Sequence, residues 1–392
     1  MATRAVNIGV IAGSLTPRLD SWRAVVGDAL TPEWDDLAEH ACEPNAFAES
    51  WFLTAALEQF DPEGRVQLFT LWNAGQLVAL MPLSMQAHYG RWPMRHLQNW
   101  LHHNAFLGTP LVRSGHESAF WTALLPMLDA DGGQALFAHF NSLAVDGPLV
   151  TALKKICRVQ SRRYALVHRE ERALLEGNLA PDAYFEAAVR GKKRKELRRQ
   201  KNRLAEEGVL SFARFMGATG LEEWTAEFLA LERAGWKGGK GSALDCSGQT
   251  RSLFTEALQG AATRGKLERL ELRLDGKPLA MLVNFLCTPG SFSFKTAFDE
   301  NYARFSPGVL LQIENLALLE RADIAWCDSC AAEGHPMIDS LWTGRRAIGR
   351  YSVAIGGSAR RAIFGALLNA ELARSASRNS AANIGDQARD DT

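Results

Sequence analysis

The sequence lacks an excess of charge of either sign, because its 392 residues include 44 basic and 44 acidic side chains. A neutral chain has no overall attraction to nucleic acid or to an anionic membrane surface. The sequence also lacks any apolar run close to the ~20 residues that a membrane span requires. The apolar stretch from Val6 to Leu15 is broken by an asparagine, a serine and two glycines, and no small-residue cleavage site follows it. These absences favour a cytoplasmic protein.

Cysteine is scarce, with six residues and no regular spacing between them. This excludes a disulfide framework and is typical of a protein from a reducing compartment. Cys327 and Cys330 have the spacing of half a zinc or redox site, but no second pair accompanies them. Within a strand the two side chains would face opposite sides of the sheet. The sequence therefore predicts no metal site, and the cysteines are expected to act as buried apolar residues.

Two distant segments of the chain resemble each other. Leu68 to Met85 and Leu270 to Leu286 both read as a strand, a tight turn and a second strand, with the turns at Asn73-Ala74-Gly75 and Asp275-Gly276. Each turn glycine is followed by two residues, an aliphatic residue and alanine. Such turns before apolar strands are strong hairpin signals. A length of 392 residues also favours two domains over one.

The elements after each hairpin follow a similar order of strands and helices. We therefore predict two mixed α/β domains of similar topology, at residues 20–170 and 209–357, in which antiparallel hairpins lead into a partly parallel sheet. Residues 180–208 are predicted to form a helical connector. The polar, small-residue tail at 374–392 is predicted to be disordered.

The connector is strongly basic. Arg190 to Arg203 holds nine basic residues and a single acidic one, Glu196. One interpretation is a solvated connector. The others are contact with a phosphate-bearing cofactor, with an acidic carrier protein or with nucleic acid, since dense like charges weaken a helix unless they meet anions. The run lacks aromatic residues for base stacking, which counts against single-stranded nucleic acid.

A predicted anion-binding unit lies near the C-terminal end. A strand from Ser291 to Asp299 is followed by a loop and then by a helix that begins at Ser306-Pro307-Gly308. Serine is a preferred N-cap and proline suits the first helical position. We therefore expect the N–H groups of Gly308, Val309 and Leu310 to be free at the helix start, where a phosphate or diphosphate can bind.

Several residues near this unit are candidates for chemistry. Asp328 ends the predicted strand Asp323 to Cys330, where partial burial would raise its pKa toward that of a general base and an ion pair with Lys295 would make it an orienting anion instead. The following loop adds two further catalytic candidates, Glu333 and His335. Substrate contacts are expected from Lys295 and from Trp236 and Lys237 in the glycine-rich segment GWKGGKG.

These residues resemble a known family, with matching order and spacing over most of residues 20–357. The resembling segments are Phe106 to Leu111, Lys192 to Gly208, Leu231-Glu232, Gly235-Trp236-Lys237, Lys240-Gly241, Ala243-Leu244, Leu274-Asp275-Gly276 with Ala280, Lys295 to Glu300 with Tyr302, Ser306-Pro307-Gly308, Asp328 and Trp342. They are similar to the GNAT acyltransferases of the CelD type, associated with cellulose and exopolysaccharide biosynthesis, and to the FemABX aminoacyltransferases.

The resemblance implies two tandem GNAT-like domains with mixed sheets, joined by the basic helix. It also implies acyl transfer from acetyl-CoA or another acyl-CoA to an amine or hydroxyl of a small metabolite or polysaccharide precursor. The acyl chain would lie between the fourth and fifth strands of the C-terminal copy. The family's diphosphate loop, Gln/Arg-x-x-Gly-x-Gly/Ala, corresponds here to Arg304-Phe-Ser-Pro307-Gly308-Val309. The expected donor contacts are therefore Arg304, Ser306, Gly308, Val309 and Leu310.

This loop departs from the family pattern, because Pro307 replaces the first glycine and Val309 replaces the last position. Proline removes an N–H donor, and valine adds bulk beside the phosphates. Two alternatives therefore remain open. One is a non-catalytic scaffold of exopolysaccharide assembly. The other is a FemABX-type transferase with an aminoacyl-tRNA donor, for which the basic connector would contact the nucleic acid backbone.

Overall fold

The computed structural model describes residues 15–373. Nearly all of the apolar stretch at residues 6–15 and the whole predicted tail at 374–392 lie outside this range. Within it, thirteen strands form one mixed sheet. The strands are β1 (Leu15–Ser21), β2 (Gln67–Asn73), β3 (Gln76–Gln86), β4 (His96–Asn99), β5 (Leu111–Val112), β6 (Phe137–Ala144), β7 (Tyr164–Glu176), β8 (Leu210–Met216), β9 (Leu267–Leu274), β10 (Lys277–Cys287), β11 (Gly290–Phe298), β12 (Trp326–Asp328) and β13 (Gly344–Ala354).

Helices cover both faces of the sheet, so the predicted mixed α/β class is confirmed. The helices are α1 (Trp22–Val25), α2 (Thr31–Glu39), α3 (Ser50–Phe60), α4 (Glu117–Asp131), α5 (Pro148–Val159), α6 (Pro181–Ala188), α7 (Gly191–Glu206), α8 (Leu221–Ala234), α9 (Trp236–Gly239), α10 (Gly248–Thr263), α11 (Pro307–Glu314), α12 (Pro336–Asp339) and α13 (358–373). No helix within residues 15–373 is both long and apolar enough to cross a membrane.

Both predicted hairpins are present, as β2–β3 and β9–β10. Their turns place Ala74 and Gly75, and likewise Asp275 and Gly276, at positive φ, which is the geometry of a tight turn between twisted strands. Each half then contains one parallel strand pair, β4 with β6 and β11 with β12. The two halves therefore share a local order of elements, as the sequence repeat indicates.

The sheet runs without a break through both halves, in the order β1-β2-β3-β4-β6-β13-β7-β12-β11-β10-β9-β8, with β5 paired to β3. The last strand of each half thus joins the sheet of the other half. β13 pairs with β6, β7 pairs with β12, and the two exchanged strands pair with each other. The predicted domain boundaries stay a prediction, because the halves share one sheet.

One apolar cluster also spans the two halves. Phe47, Trp51 and Phe52 from the N-terminal half pack with Phe285 and Phe294 of the C-terminal half. Helices α3 and α10 contact each other beside this cluster. A Cβ on Gly260 of α10 would lie 2.7 Å from the Trp51 Cβ, so only glycine permits this close approach.

Three predicted elements have different bounds in the structure. The strand expected from Asp323 to Cys330 is only the three-residue β12, and the helix expected to begin at Ser306-Pro307-Gly308 changes to a 3-10 helix at Asn315. The connector is two helices, because the chain is extended at Val189 between α6 and α7. The Arg194 side chain donates to the Val189 carbonyl at 2.9 Å and to the Glu186 carbonyl, and so satisfies the end of α6.

Candidate functional site

The candidate site is the gap between two parallel strands that separate. β11 pairs with β12 only at Gly290–Phe292, opposite Trp326–Asp328. Immediately beyond, a β-bulge interrupts β11, because Ser293 pairs with Asn284 and Lys295 pairs with Val283, which leaves Phe294 as the extra residue. A cavity of about 490 Å³ occupies this gap. Such a volume is within the range of small-molecule binding sites.

The cavity is bounded differently on the two faces of the sheet. On one face lies the start of α11, with Gly308 and Gln312, and the Gln312 amide donates to the Ser293 hydroxyl at 3.4 Å. On the other face Lys295 lies beside the ring of Phe106, which comes from the N-terminal half. We call these the α11 face and the Lys295 face. Phe106 belongs to the family likeness, but the sequence does not predict it at the site. Ser293 and Gln312 were not predicted either.

The start of α11 provides fewer backbone donors than the sequence predicts. Ser306 has a left-handed conformation (φ 54°), and Pro307 has no N–H. The N–H of Leu310 donates to the Ser306 carbonyl at 3.0 Å, and the Leu310 side chain is buried in the core. The predicted donor contact of Leu310 is therefore wrong. Gly308 and Val309, whose N–H groups belong to the first helical turn, both line the cavity.

The predicted donor contact of Arg304 is also not supported by its position. Arg304 forms an ion pair with Glu207 at 2.6 Å, and its guanidinium lies over the ring of Phe305. The side chain is mostly exposed and is not among the residues that line the cavity. Ser306 does line the cavity, so four of the five expected donor residues lie near the helix start, but only Ser306, Gly308 and Val309 face the space that a ligand can occupy.

Lys295 is a cation without a carboxylate partner. Within residues 15–373 its ammonium forms no ion pair or hydrogen bond, and its contacts are the rings of Phe106 at 5.0 Å and Phe294 at 5.4 Å. Burial and the nearby charge of Lys237 lower its pKa to about 8. The ion pair of Lys295 with Asp328, one of the two interpretations of Asp328, is therefore not formed.

Asp328 is instead bound by two arginines from the exchanged strands. One carboxylate oxygen accepts from Arg172 of β7 at 2.7 Å and from Arg346 of β13 at 3.0 Å. The other oxygen accepts the N–H of Cys330 at 2.9 Å. Asp328 is fully buried and is not among the cavity-lining residues.

The pKa of Asp328 also moves opposite to the direction that the general-base interpretation requires. Burial by itself would raise this pKa, but the charges of Arg172 and Arg346 and the bonds from Arg172 and the Cys330 N–H together hold it below its ordinary value. A general base must have an oxygen that can reach a substrate proton, and both oxygens of Asp328 are engaged within the protein. The carboxylate also supports the cavity wall at Phe106 indirectly, since Arg172 donates to the Phe106 carbonyl at 2.7 Å.

Of the other two predicted catalytic residues, one lines the cavity and the other does not. Glu333 is exposed, accepts the N–H of Glu171 at 3.3 Å, and does not line the cavity. His335 lines the cavity immediately before α12, and its buried Nδ1 has no hydrogen-bond partner within the described residues. Of the three predicted catalytic residues, His335 is therefore the one that reaches the candidate site.

The glycine-rich segment lies at the site, as the sequence predicts. Trp236 and Lys237 begin the short helix α9 and line the cavity. The N–H of Trp236 donates to a Glu300 carboxylate oxygen at 2.6 Å, and the Lys237 ammonium pairs with Glu232 at 2.8 Å. Trp236 is about half exposed, and the ammonium of Lys240 lies over its ring.

Cys327 and Cys330 are both buried and unpaired, and they belong to different apolar clusters. This agrees with the expectation that the two side chains face opposite sides of the sheet. Within residues 15–373 no group of three or more histidine, cysteine, aspartate or glutamate side chains could hold a metal ion.

The corresponding gap in the N-terminal half is closed. β4 and β6 are parallel only at Leu97 and Gln98, and the next residue, Asn99, then binds across the gap. Its amide donates to the carbonyls of Gly108 and Asn141, each at 2.9 Å, and accepts the N–H of Asn141 at 2.7 Å. A space beside Asn99 and Gly108 measures only about 20 Å³.

Residues 191–335 match a family model described as an acetyltransferase (GNAT) domain. Over these residues the chain is similar to GNAT acetyltransferases. The match begins at the first residue of α7 and ends at His335, so it includes the hairpin β9–β10, both separating strands and the whole start of α11. The expected acyltransferase class is thereby confirmed. No curated protein matches the chain.

Several solved structures are similar over most of both chains. FemX has a TM-score of 0.55 at 11% identity, with 82% of this chain and 95% of that chain covered. The C-terminal domain of a putative lysylphosphatidylglycerol synthetase from Agrobacterium fabrum has 0.51 at 14%, with 86% and 95% covered. A conserved protein of unknown function from Bacteroides thetaiotaomicron has 0.50 at 11%, with 83% and 97% covered. At these identities the likeness shows a shared fold.

The basic helix α7 lies beside the segment that leads into α11. Gln200 donates to the Arg304 carbonyl at 3.0 Å, and Lys201 pairs with Glu314 of α11 at 3.3 Å. Six of the nine basic side chains have no ion pair or hydrogen bond within the described residues. These are Arg190, Lys192, Lys193, Lys195, Arg198 and Arg203. The uncompensated positive charge thus lies on a helix that contacts the segment leading into α11.

We expect replacement of Lys192, Lys193, Lys195 and Arg198 by glutamine to weaken binding of a phosphate-bearing donor roughly tenfold at low salt, since each exposed charge contributes a fraction of a kcal/mol. The dependence of affinity on salt should flatten, because fewer ions are displaced. Titrations at several salt concentrations measure both effects. Lys155→Gln with Arg158→Gln on exposed positions of α5 is the control. Unchanged affinity at low salt would identify α7 as a plain connector.

Proposed function

We propose that the GNAT domain binds an acyl-CoA, in the simplest case acetyl-CoA, and transfers its acyl group to an amine or hydroxyl. The observation that carries this proposal is a single cavity that joins the start of α11 to the gap between β11 and β12. The closed gap in the N-terminal half supports one donor site per chain. The CelD-type likeness supports a small metabolite or polysaccharide precursor as acceptor, in cellulose or exopolysaccharide biosynthesis.

The residues at the helix start fit a phosphate group. Gly308 and Val309 line the cavity, and their N–H groups belong to the first turn of α11, where the helix dipole adds partial positive charge. A Cβ on Gly308 would lie 3.1 Å from the Met337 sulfur and 3.3 Å from the Phe298 ring, so a larger residue would crowd the site. Two backbone donors match one phosphate, and the free cations of α7 are placed to meet further negative charge.

The mechanism that this geometry supports is direct attack on the thioester. The acceptor nitrogen or oxygen attacks the carbonyl carbon, and the carbon–sulfur bond breaks. The thiolate leaves, and the proton lost by the acceptor is transferred through a base or water to the thiolate. Holding both reactants in one cavity lowers the entropic part of the barrier. His335 is the predicted catalytic residue that lines the cavity and remains the candidate for proton transfer.

Two alternatives have specific support. A non-catalytic scaffold is favoured by Pro307 and Val309 in the phosphate loop, but it gives no reason for an open cavity with an unpaired lysine. An aminoacyl-tRNA donor, which the FemABX likeness implies, is favoured by the free cations of α7. The absence of aromatic residues from α7 and the neutral net charge of the chain both count against it.

The test is calorimetric titration of the wild-type protein with acetyl-CoA, longer acyl-CoAs and CoA. We expect a dissociation constant on the order of 1 µM to 1 mM, the usual range for enzyme substrates. Pantetheine, which has no phosphate, should bind at least tenfold more weakly because it cannot use the helix start. No heat with any acyl-CoA would refute the donor assignment. Binding of an aminoacylated tRNA in its place would favour the second alternative.

A further inference from the structure

The Lys295 face of the cavity carries one positive charge that the protein leaves uncompensated. Lys237 is neutralised by Glu232 at 2.8 Å. The second oxygen of Glu232 accepts the N–H of Leu244 at 2.8 Å, and neither oxygen of this buried carboxylate forms an ion pair with Lys295. Asp328 is also unavailable, because two arginines hold it. Neither of these carboxylates therefore pairs with Lys295.

A lysine that is largely removed from water is costly unless an anion accompanies it. The rings of Phe106 and Phe294 stabilise the ammonium only in part. With a pKa of about 8, the side chain is still mostly charged at neutral pH. Since it lines the cavity, the missing anion can come from a bound ligand.

The donor is not the natural source of this anion. Its phosphates are assigned to the α11 face, where the helix start provides N–H donors. The acyl group itself is uncharged at the reacting carbon. The acceptor must approach from the opposite side of the gap, where Trp236, Phe106 and Lys295 lie.

We propose that the acceptor carries an anionic group, a carboxylate or a phosphate, which pairs with Lys295 beside the rings of Phe106 and Trp236. This inference rests on the proposed acyl transfer and narrows its acceptor class. An acceptor whose only charge is an ammonium is repelled by Lys295, because like charges at close range are unfavourable in a partly desolvated site. A phosphorylated amino sugar and an amino acid both meet the requirement.

The first experiment measures occupation of the Lys295 ammonium without any turnover. Trace acetylation of the free protein with acetic anhydride, read by mass spectrometry, gives the reactivity of each lysine. We expect glucosamine 6-phosphate or inorganic phosphate to protect Lys295 severalfold if the anion is a phosphate, and serine or acetate to do so if it is a carboxylate. Glucosamine and serinamide should not protect it. Lys155, exposed on α5, should react equally in all samples.

The second experiment compares Lys295→Met with Lys155→Met. Two matched pairs differ only in the anionic group: glucosamine 6-phosphate against glucosamine, and serine against serinamide. In the wild type, the member with the phosphate or carboxylate should bind roughly tenfold to a hundredfold more tightly, as expected for a charge-assisted contact. Lys295→Met should abolish this preference, and Lys155→Met should retain it. Calorimetry with acetyl-CoA should be unchanged in both variants.

The outcomes separate this inference from the proposed function. Absence of acetyl-CoA binding refutes the donor assignment, whatever the lysine reactivity shows. Protection of Lys295 by neither anion, or equal protection by glucosamine, overturns the inference. In Lys295→Met, an equal loss of rate with acceptors that carry the anionic group and with acceptors that lack it would also overturn the inference. That result would assign Lys295 to the chemical step.

Discussion

We expect Asp328→Asn to lower the free energy of unfolding by roughly 3–5 kcal/mol, the usual effect of removing one partner of a buried ion pair. The substitution leaves the guanidinium groups of Arg172 and Arg346 without their shared carboxylate. Water cannot replace this partner at Arg172, because that side chain is only 4% exposed. Because Arg172 belongs to β7 and Arg346 to β13, the substitution should weaken the contacts of these two exchanged strands with β12. Urea unfolding followed by circular dichroism measures the shift of the midpoint.

The matched control is Asp323→Asn, which removes a carboxylate from an exposed ion pair with Arg321. Exposed pairs contribute about 0–1 kcal/mol, so the midpoint should barely move. A small effect of Asp328→Asn, equal to that of the control, would contradict the structural role of the cluster.

The dependence on pH has a defined sign. Because the folded-state pKa of Asp328 lies below its ordinary value of 3.8, its contribution to stability is complete above that value. The contribution is lost as the pH falls through the folded-state pKa. The difference between wild type and Asp328→Asn should therefore be constant at neutral pH and shrink only in strong acid. If Asp328 were the general base, the variant would instead lose the rise of kcat/KM with pH.

We expect Gly308→Glu to reduce acyl-CoA affinity roughly a hundredfold or more, since a like charge at a phosphate site costs several kcal/mol. The carboxylate would lie at the helix start, where the N–H groups of Gly308 and Val309 are assigned to the donor phosphates. Titration with acetyl-CoA measures the loss, and circular dichroism checks that the fold is intact.

Gly308→Gln is the control for this variant, because glutamine has nearly the same volume as glutamate and no charge. A side chain here must displace Met337 and Phe298, so glutamine alone should weaken binding. The effect of charge is the difference between the two variants. Equal affinities for the glutamate and glutamine variants would indicate crowding and would place the phosphates elsewhere.

Part of the candidate site could be predicted because its signals are local. The N-terminal end of α11 follows from the Ser306-Pro307-Gly308 sequence, and the contact of Trp236 and Lys237 with the cavity follows from their glycine-rich segment. Arg304 and Leu310 were misplaced for reasons outside their own segment. Arg304 is held by Glu207, which belongs to the end of the basic connector, and the Leu310 side chain packs under β9 and β10.

Residues a few positions apart specify the hairpins, the strand–loop–helix unit, the basic helix and the mixed α/β class. The way in which the two halves combine depends instead on contacts between residues that are distant in the sequence. Alternating apolar residues specify a strand but not its partner, so the exchange of β7 and β13 cannot be read from periodicity.

The charge states at the site follow from that exchange. Arg172 lies 156 residues from Asp328 and reaches it only because β7 pairs with β12. With Asp328 taken by the arginines, Lys295 is left without a carboxylate. Asn99 similarly closes the N-terminal gap through contacts with Asn141, 42 residues away. Burial and pairing between distant strands, rather than residue type, thus determine which charged groups remain available for a ligand.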